Sequence, residues 1–391
     1  MNSLKFNVFV GFLVSFSIVS IRGQSITEIP FKDLSNDSLS VSTPFYSGLK
    51  AYYAFRIPTI IKSKRALIVF SEGRKNSTSD FGDIDLTYRR SINDGETWED
   101  LKILYDSDTL AVQNPVPIFI SSENKIVLLF NTTSLSEAEV LNKDYTLEEE
   151  RKAFVTSSLD DGQTWQIPRE ITRQVKRKHW RWHALGPVHG IELKFGAHKG
   201  RLVAPVAISI EKGNKAYCMA LIYSEDQGES WKIGAVDENL NDKVQANETA
   251  IVELVDGRIY VNTRDHQGGS LKKNRGETYS NDGGLTFSDT IMESDKFPSP
   301  IVQSALLRWS STRDEGKNML LFSTPSQLDK RQDLVVMASY DESESWQTIF
   351  KIHHGMSAYS DMVKLNEHTL GLIYETDGYK KIRYKWVVMD N

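Results

Sequence analysis

The octapeptide Ser158-Leu-Asp-Asp-Gly-Gln-Thr-Trp165 is one of five related segments in this 391-residue chain. The other four are Ser91-Ile-Asn-Asp-Gly-Glu-Thr-Trp98, Ser224-Glu-Asp-Gln-Gly-Glu-Ser-Trp231, Ser280-Asn-Asp-Gly-Gly-Leu-Thr-Phe287 and Ser339-Tyr-Asp-Glu-Ser-Glu-Ser-Trp346. All approximate Ser-x-Asp-x-Gly-x-Thr-Trp, and their closing aromatic residues lie 56 to 67 residues apart. A motif that recurs at such a spacing indicates repeated supersecondary units, with one motif in each unit.

Each copy has the composition of a hairpin turn. An Asp side chain can bond its own backbone, and a Gly tolerates the left-handed conformation that such turns need. The closing Trp is large and apolar, so we expect it to fold under the turn as a plug. We therefore interpret the five motifs as structural rather than catalytic.

Short apolar runs between the motifs predict β-strands, because they are rich in β-branched residues and are separated by turn residues such as Asp256-Gly257. These runs are Arg65 to Phe70, Ile126 to Phe130, Leu202 to Ile208, Ile251 to Leu254, Ile259 to Asn262 and Leu334 to Met337. Helical periodicity is scarce, and Leu135 to Arg151 is the one plausible helix. Five motifs plus one unit without a motif predict an all-β, six-bladed β-propeller.

The N-terminus has the pattern of a secretory signal. Met1 to Lys5 form a weakly basic start, Phe6 to Ile21 an apolar run, and Gly23 a small residue before the expected cleavage point. A membrane anchor is the alternative, but about 16 residues with scattered serines are short for a span of about 20. We expect a signal peptide at residues 1–23 and one domain at 24–391, hence a secreted or periplasmic protein, or a lysosomal one in a eukaryote.

The net charge and the cysteine content limit the possible binding partners and the possible sources of stability. The net charge is −5, which leaves no strong basic field for nucleic acid or an anionic membrane. Cys218 is the single cysteine, so no intrachain disulfide can form, and its strand-like surroundings predict a buried residue. No other stretch is apolar enough to span a membrane, and the oligomeric state is not readable.

Three arginines, Arg56, Arg264 and Arg331, lie at or near the ends of β-type runs in different units. The loops of a propeller converge on one axis, where function is concentrated. Three guanidinium groups brought together would repel one another unless an anion lies among them, and their planar donors fit a carboxylate.

These segments resemble the exo-alpha-sialidase (neuraminidase) family, in which the repeated motif is called the Asp box. The segments that carry the resemblance are Phe55-Arg-Ile-Pro58, the five Asp boxes, Ser71-Glu-Gly-Arg74 followed by Ser79-Asp-Phe-Gly82, Gly186-Pro-Val-His-Gly190, Asn247-Glu-Thr-Ala250 and Ala358-Tyr-Ser-Asp361. The resemblance covers nearly all of the chain after residue 23. It implies a six-bladed propeller that hydrolyses terminal α-linked sialic acid from glycans with retention and without a metal cofactor.

By this resemblance, Arg56, Arg264 and Arg331 clamp the carboxylate of sialic acid. Arg331 is assigned only by its place between the fourth and fifth Asp boxes, so Arg308 and Arg313 remain alternatives. In the same way, Glu375 in Leu372-Ile-Tyr-Glu375 is expected to orient the first arginine.

Tyr359 resembles the nucleophile of the family. The anomeric carbon of sialic acid carries a carboxylate, which would repel an Asp or Glu nucleophile but not a neutral tyrosine. A phenol with an ordinary pKa of about 10 needs a base, and the resemblance assigns that role to Glu248. We expect the three arginines to favour the phenolate further.

Asp80 resembles the acid/base, which protonates the leaving oxygen and then activates water. Asp83 and Asp85 compete for this assignment. Arg74 and, less firmly, Glu72 are expected on the side of the sugar's 4-hydroxyl.

Four further features are assigned by the resemblance or left open. Asn114 is expected near the N-acetyl group of the sugar, and His189 is interpreted as structural. The basic run Arg173 to Arg181 either borders the substrate groove or is a solvated loop, and we favour the loop. The glycosylation sequon at Asn247 adjoins the proposed base, so we expect it to be unused.

Two rival functions share the sequence features. A trans-sialidase, or an intramolecular enzyme that forms an anhydro sugar, would use the same Tyr, Glu and Asp residues. A sialic-acid-binding lectin would need only the arginines, and the presence of Tyr359, Glu248 and Asp80 together argues against it. The sequence does not specify the linkage preference.

Overall fold

Short antiparallel strands make up most of the regular structure. The computed structural model describes residues 31–36, 40–146, 149–210, 212, 217–240, 243–269, 273–314 and 316–389. The expected signal peptide, Met1 to Gly23, lies outside the described residues. Each of the six strand runs predicted from the sequence overlaps an observed strand.

The strands are numbered in chain order. Those of the first half are β1 (Lys32–Asp33), β2 (Val41–Tyr46), β3 (Ala54–Lys62), β4 (Leu67–Arg74), β5 (Ile84–Ser91), β6 (Lys102–Tyr105), β7 (Ala111–Ile120), β8 (Lys125–Thr133), β9 (Lys152–Ser158), β10 (Arg169–Glu170), β11 (His183–Leu185), β12 (Ile191–Glu192) and β13 (Leu202–Ser209). Those of the second half are β14 (Tyr217–Ser224), β15 (Lys232–Asp237), β16 (Ala246–Glu253), β17 (Ile259–Asp265), β18 (Arg275–Ser280), β19 (Met292–Ser294), β20 (Ala305–Ser310), β21 (Met319–Gln327), β22 (Lys330–Ser339), β23 (Gln347–Asn366), β24 (Thr369–Thr376) and β25 (Lys381–Val388). Helices α1 (Glu137–Asn142) and α2 (Thr172–Val175) are short.

Antiparallel pairing groups the strands into six blades, as the repeat predicts. Blade 1 contains β3 to β6, blade 2 contains β7 to β10, and blade 3 contains β11 to β15, with β11 and β12 sharing the first position. Blade 4 contains β16 to β19, and blade 5 contains β20 to β22 and the first part of β23. The architecture is therefore a six-bladed β-propeller.

Blade 6 closes the ring with strands from both ends of the chain. It contains the last part of β23, then β24 and β25, and its fourth strand is β2. β2 pairs antiparallel with β25, so that Val41 lies opposite Lys385. The chain therefore has no turn between the third and fourth strands of this blade, which explains why six blades carry five Asp boxes.

Each Asp box forms the turn between the third and fourth strands of its blade. In blade 2 the Ser158 hydroxyl donates to Asp160 Oδ1 (2.8 Å) and accepts the backbone N–H of Gly162 (3.0 Å). Asp160 also accepts the backbone N–H of Thr164 (2.9 Å). Gly162 has a φ of 74°, a conformation that glycine adopts without strain. The same hydrogen bonds recur in the other four boxes.

The aromatic residues of the boxes also join neighbouring blades. Trp165 of blade 2 packs edge-on against Phe70 and Tyr88 of blade 1, with ring centroids 5.7 and 5.9 Å apart. Trp98 of blade 1 packs against Tyr384 of blade 6 at 5.5 Å. The closing aromatic residue, which we expected to fold under the turn, therefore also contacts the neighbouring blade.

The helix predicted from Leu135 to Arg151 is wrong in length. Helix α1 covers only Glu137–Asn142. Ser136 and Glu139 form a capping box that starts it, and Lys143 adopts an extended conformation that ends it. No helix in the described part of the chain has the length and apolar character needed to cross a membrane.

Propeller topology separates two edges of the ring. The Asp boxes lie on one edge, where third strands end. The opposite edge contains the starts of the first and third strands and the ends of the second strands. We call this opposite edge the site edge, because all ten residues that the resemblance assigns to the site lie in strands or loops at it.

Candidate active site

The proposed carboxylate clamp surrounds the ring of Tyr359. The guanidinium carbons of Arg56 and Arg331 each lie 5.5 Å from the ring centroid, and Arg264 Nη1 lies 3.3 Å from the Tyr359 hydroxyl. Arg56 is at the start of β3, Arg264 at the end of β17 and Arg331 at the start of β22. All line one cleft with a volume of about 480 Å³, so three blades bring their positive charges to one place.

The two alternatives to Arg331 lie elsewhere. Arg308 forms an ion pair with Glu342 (2.6 Å) and donates to the carbonyl of Glu253. Arg313 lies 5.1 Å from the centroid of the Phe195 ring. Neither lines the cleft, and the geometry therefore favours Arg331.

Glu375 is fully buried and connects one arginine of the clamp with the backbone of Tyr359. Its Oε1 accepts Arg56 Nε at 2.6 Å and the backbone N–H of Ile57 at 2.9 Å. Its Oε2 accepts the backbone N–H of Tyr359 at 3.3 Å. The same carboxylate therefore fixes the first arginine and the backbone of the tyrosine.

Tyr359 and Glu248 form a direct hydrogen bond in the cleft. The Tyr359 hydroxyl donates to Glu248 Oε1, while Glu248 Oε2 accepts Arg264 Nη1 at 2.6 Å. Tyr359 belongs to β23 at its passage from blade 5 to blade 6, and Glu248 is at the start of β16. The phenol is hydrogen-bonded to a carboxylate, and an arginine orients that carboxylate. This is the geometry of a nucleophile with its base.

The three arginines favour the phenolate of Tyr359, as expected, but their effect is smaller than that of the factors that disfavour it. Burial raises the pKa of Tyr359, and the negative charge of Glu248 raises it further. Arg264, Arg331 and Arg56 lower the pKa by less, so it stays above its ordinary value. The phenol is therefore protonated, and Glu248 has to accept its proton as any attack occurs.

Asp80 is at the mouth of the cleft, with 77% of its side chain exposed. Its Oδ1 is 2.6 Å from Arg74 Nη2 and 3.9 Å from Arg56 Nη1. The surrounding protein disfavours its charge, but Arg74 and Arg56 outweigh this and lower the pKa of the carboxyl. Arg74 is fully buried, pairs also with Glu72 (2.7 Å) and donates to the carbonyl of Thr78 (2.5 Å).

The two competitors of Asp80 belong to a separate cluster. Asp83 and Asp85 accept Lys75 Nζ at 2.9 and 3.1 Å, and Asp106 is nearby at 3.5 Å. Tyr52 also donates to Asp85. The three carboxylates are close enough together to hold a cation, but the Lys75 ammonium already lies among them.

Asn114 lines the side of the cleft formed by blade 2. Its backbone N–H donates to Glu72 Oε1 (3.1 Å), and its side-chain amide donates to the carbonyl of Leu185 (2.9 Å). A φ of 59° at Asn114 turns the chain at this point of β7. These hydrogen bonds hold Asn114 in the wall of the cleft, and its expected place near the N-acetyl group stays a prediction.

Several residues of the cleft were missed by sequence reasoning. Arg151 is buried, donates to Gln113 Oε1 (2.6 Å) and lies 4.5 Å from the centroid of the Trp182 ring. Burial lowers the pKa of Arg151 to about 10. Glu137, the first residue of α1, also lines the cleft. Arg151 directly precedes the third strand of blade 2, and Arg331 lies at the start of the third strand of blade 5. This equivalent position in the repeat was the sequence signal that could have identified Arg151.

His189 does not line the cleft, which agrees with its interpretation as a structural residue. Its Nδ1 is 2.6 Å from Asp361 Oδ1, and both residues are buried. Asn247, at the sequon, is also largely buried, and its side-chain nitrogen lies 3.1 Å from His266 Nδ1. That environment fits the expectation of an unused sequon.

Comparison with known proteins relates this chain to one repeat family and to several sialidases. The family model described as a BNR repeat-like domain matches residues 65–373. An exo-alpha-sialidase of Aspergillus fumigatus is 27% identical over 376 residues, which cover 88% of this chain and 82% of that protein. A sialidase of Micromonospora viridifaciens is 26% identical over 84% of this chain and 51% of its own length, so this chain spans about half of that relative.

Solved structures show the same relationship. The Hadza microbial sialidase Hz136 superposes with a TM-score of 0.75 at 25% identity and covers 88% of this chain and 67% of that one. The intramolecular trans-sialidase from Ruminococcus gnavus has a TM-score of 0.73 at 16% identity, with 90% and 99% covered, which is a likeness of fold.

Proposed function

The chain belongs to the BNR repeat-like domain family and is similar along most of its length to sialidases, and we propose that it is an exo-alpha-sialidase acting on terminal α-linked sialic acid. One observation supports the mechanism best: the Tyr359 hydroxyl is bonded to Glu248 inside a ring of three guanidinium groups. This arrangement suits a substrate that carries a carboxylate on its reacting carbon.

The first half of the reaction forms a covalent intermediate. The substrate carboxylate binds Arg56, Arg264 and Arg331, which places the anomeric carbon beside Tyr359 Oη. This oxygen forms a bond to the carbon as Glu248 accepts the phenolic proton, and the glycosidic C–O bond breaks. Asp80 supplies a proton to the leaving oxygen.

In the second half, ionised Asp80 takes a proton from water, whose oxygen displaces Tyr359 from the anomeric carbon. The phenolate recovers its proton from Glu248, and free sialic acid leaves with its original configuration. Two displacements at one carbon give retention.

The protonation of Asp80 depends on the substrate. In the free site Arg74 and Arg56 lower its pKa, which is unfavourable for a general acid. A substrate carboxylate in the clamp adds negative charge near Arg56 and weakens this effect. We therefore expect the pKa of Asp80 to rise when a sialoside binds.

Product analysis on a panel of sialyllactoses tests the proposal. Free sialic acid is expected, with and without a chelator, since no metal cofactor is proposed. Release of an anhydro sugar or transfer to an acceptor would replace hydrolysis by the rival reactions. Binding of sialosides without any turnover would identify a lectin instead.

A further inference from the structure

A second cleft of about 480 Å³ lies on the site edge, beside the proposed active site. Its walls come from the loop between β8 and β9 and from the loop between β10 and β11, and they include Tyr145, Lys176, Lys178 and Arg181. The first loop joins the second and third strands of blade 2, and the other joins blade 2 to blade 3. Both loops therefore belong to the edge at which substrate would arrive.

The two clefts share a wall formed by consecutive residues. Arg151 and Trp182 line the proposed active site. Their chain neighbours Glu150 and Arg181 line the second cleft. A glycan whose terminal sugar occupies the first cleft therefore has the second cleft within reach of its next sugars.

The carboxylates of the second cleft already have cationic partners. Glu150 pairs through one oxygen with Arg173 and through the other with Lys176 at 3.0 Å. Asp144 pairs with Lys212 at 2.7 Å. Each carboxylate therefore already faces at least two cations, since the charge of Arg181 also acts on Asp144.

Two cations of the cleft remain in excess. Lys178 is exposed and forms no ion pair with any residue that the structure describes. Arg181 donates to the carbonyl of Lys143, but its Nε is buried and has no hydrogen-bond partner within the described ranges. Buried donors normally have partners. The surplus charge is local, since the chain as a whole carries −5.

We propose that this second cleft binds an acidic group, a carboxylate or a sulfate ester, on the glycan beyond the sugar that is cleaved. Guanidinium and ammonium donors match both anions. The guanidinium carbon of Arg181 lies 5.1 Å from the centroid of the partly buried Tyr145 ring, which holds this cation at the wall of the cleft. The proposal rests on the proposed function, because it assigns a substrate class to that enzyme.

Kinetics on three substrates test this proposal: a sialylated lactosamine, its derivative with a sulfate on the sugar next to sialic acid, and a glycan with a second sialyl residue. The wild type is expected to prefer at least one acidic substrate about fivefold in kcat/KM, which one exposed charge pair can supply. The substrate that is preferred shows whether sulfate or carboxylate is the ligand.

Lys178→Glu should abolish this preference through KM and leave kcat on the plain substrate unchanged. Lys64→Glu is the matched control, because it makes the same charge change at an exposed lysine in the β3–β4 turn, on the Asp-box edge. Equal wild-type values of kcat/KM on all three substrates, or a preference that survives Lys178→Glu, would refute the binding role of the second cleft. Neither result would contradict the proposed sialidase activity.

If no substrate is cleaved at all, the proposed function fails and the second cleft is tested by binding. Calorimetry would then measure the binding of a sulfated disaccharide to the wild type and to Lys178→Glu. In both proteins the first cleft would be saturated with 2-deoxy-2,3-dehydro-N-acetylneuraminic acid. Binding that disappears in the variant supports the site, and equal binding or none by the wild type rejects it.

Discussion

At the scale of single residues, Glu375 links the proposed clamp to the proposed nucleophile. It is fully buried and accepts hydrogen bonds from Arg56, Ile57 and Tyr359. A buried carboxylate is costly unless such donors compensate it. It therefore acts as a positioning residue for both the clamp and the proposed nucleophile.

Glu375→Gln is expected to reduce kcat/KM about 10- to 100-fold, because the loss of a hydrogen bond to a charged group typically has an effect of this size. The amide cannot accept at both ends, so one donor loses its partner. The inhibition constant of a carboxylate-bearing inhibitor should rise in parallel, which general destabilisation would not cause. Glu367→Gln is the control, because Glu367 is exposed in the turn after β23. An unchanged inhibition constant in Glu375→Gln would refute its role.

Sequence reasoning found the residues that belong to sharp motifs and missed those that do not. Arg56 and Tyr359 lie in short segments whose residue types are specific. Arg151 and Glu137 reach the same cleft through blade geometry and a helix wall. Neither residue belongs to a sharp motif, and the only sequence signal is the position of Arg151 in the repeat, because the contacts form only when distant strands come together.

At the scale of elements, the Asp boxes combine a turn with a contact between blades. Gly95 of the first box has a φ of 90°, and a Cβ there would lie 2.1 Å from the ring of Tyr384 in blade 6. The close approach of box and neighbouring blade therefore needs a residue without a side chain.

Gly95→Ala should lower the free energy of unfolding by about 2–4 kcal/mol, the sum of left-handed backbone strain and overpacking. Gly200→Ala is the matched control, because Gly200 has a φ of 91° and no atom within 4 Å of a Cβ. It should cost only about 1 kcal/mol. Equal losses in urea denaturation would show that the contact with Tyr384 contributes nothing.

The elements themselves were largely predictable. The repeat predicted the blade count, and the β-branched runs predicted the strands, because both depend on local sequence. Helix α1 was predicted too long because its end depends on the extended conformation of Lys143, not on periodicity. The packing of box aromatics on the preceding blade also depends on neighbours distant in the sequence.

At the scale of the whole molecule, Asp361 connects three blades near the axis. It belongs to β23 of blade 6, lies 2.6 Å from His189 of blade 3 and accepts the backbone N–H of Ile60 in blade 1 at 3.1 Å. Burial lowers the pKa of His189, but Asp361 outweighs this and raises it above the ordinary value. The protonated imidazole therefore stabilises the closed ring.

The pH dependence of stability follows from this shift. A group whose pKa is higher in the folded state contributes fully below its unfolded pKa, about 6.5 for histidine, and loses its contribution as the pH rises through the folded pKa. The wild type should therefore lose free energy of unfolding as the pH rises from about 6.5 through the higher pKa of His189 in the folded state. His189→Gln should lose less over the same range in urea denaturation. An equal loss in both proteins would exclude His189 as the titrating group.

The propeller fold brings residues that are distant in the sequence to one cleft. Strands β3, β16 with β17, β22 and β23 supply Arg56, Glu248, Arg264, Arg331 and Tyr359. In the proposed mechanism, Tyr359 Oη forms the covalent bond to the substrate. Tyr359→Phe, which keeps the ring and the clamp, should lose turnover by orders of magnitude and still bind a carboxylate-bearing inhibitor.

Mass spectrometry of the protein labelled with a 3-fluorosialosyl fluoride is the sharpest test of this covalent step. The fluorine beside the anomeric carbon slows release of the intermediate, so the adduct should accumulate. We expect one added sugar mass on the peptide that contains Tyr359, and none in Tyr359→Phe. An adduct on Glu248, or inactivation without any adduct, would contradict the role of Tyr359 as nucleophile.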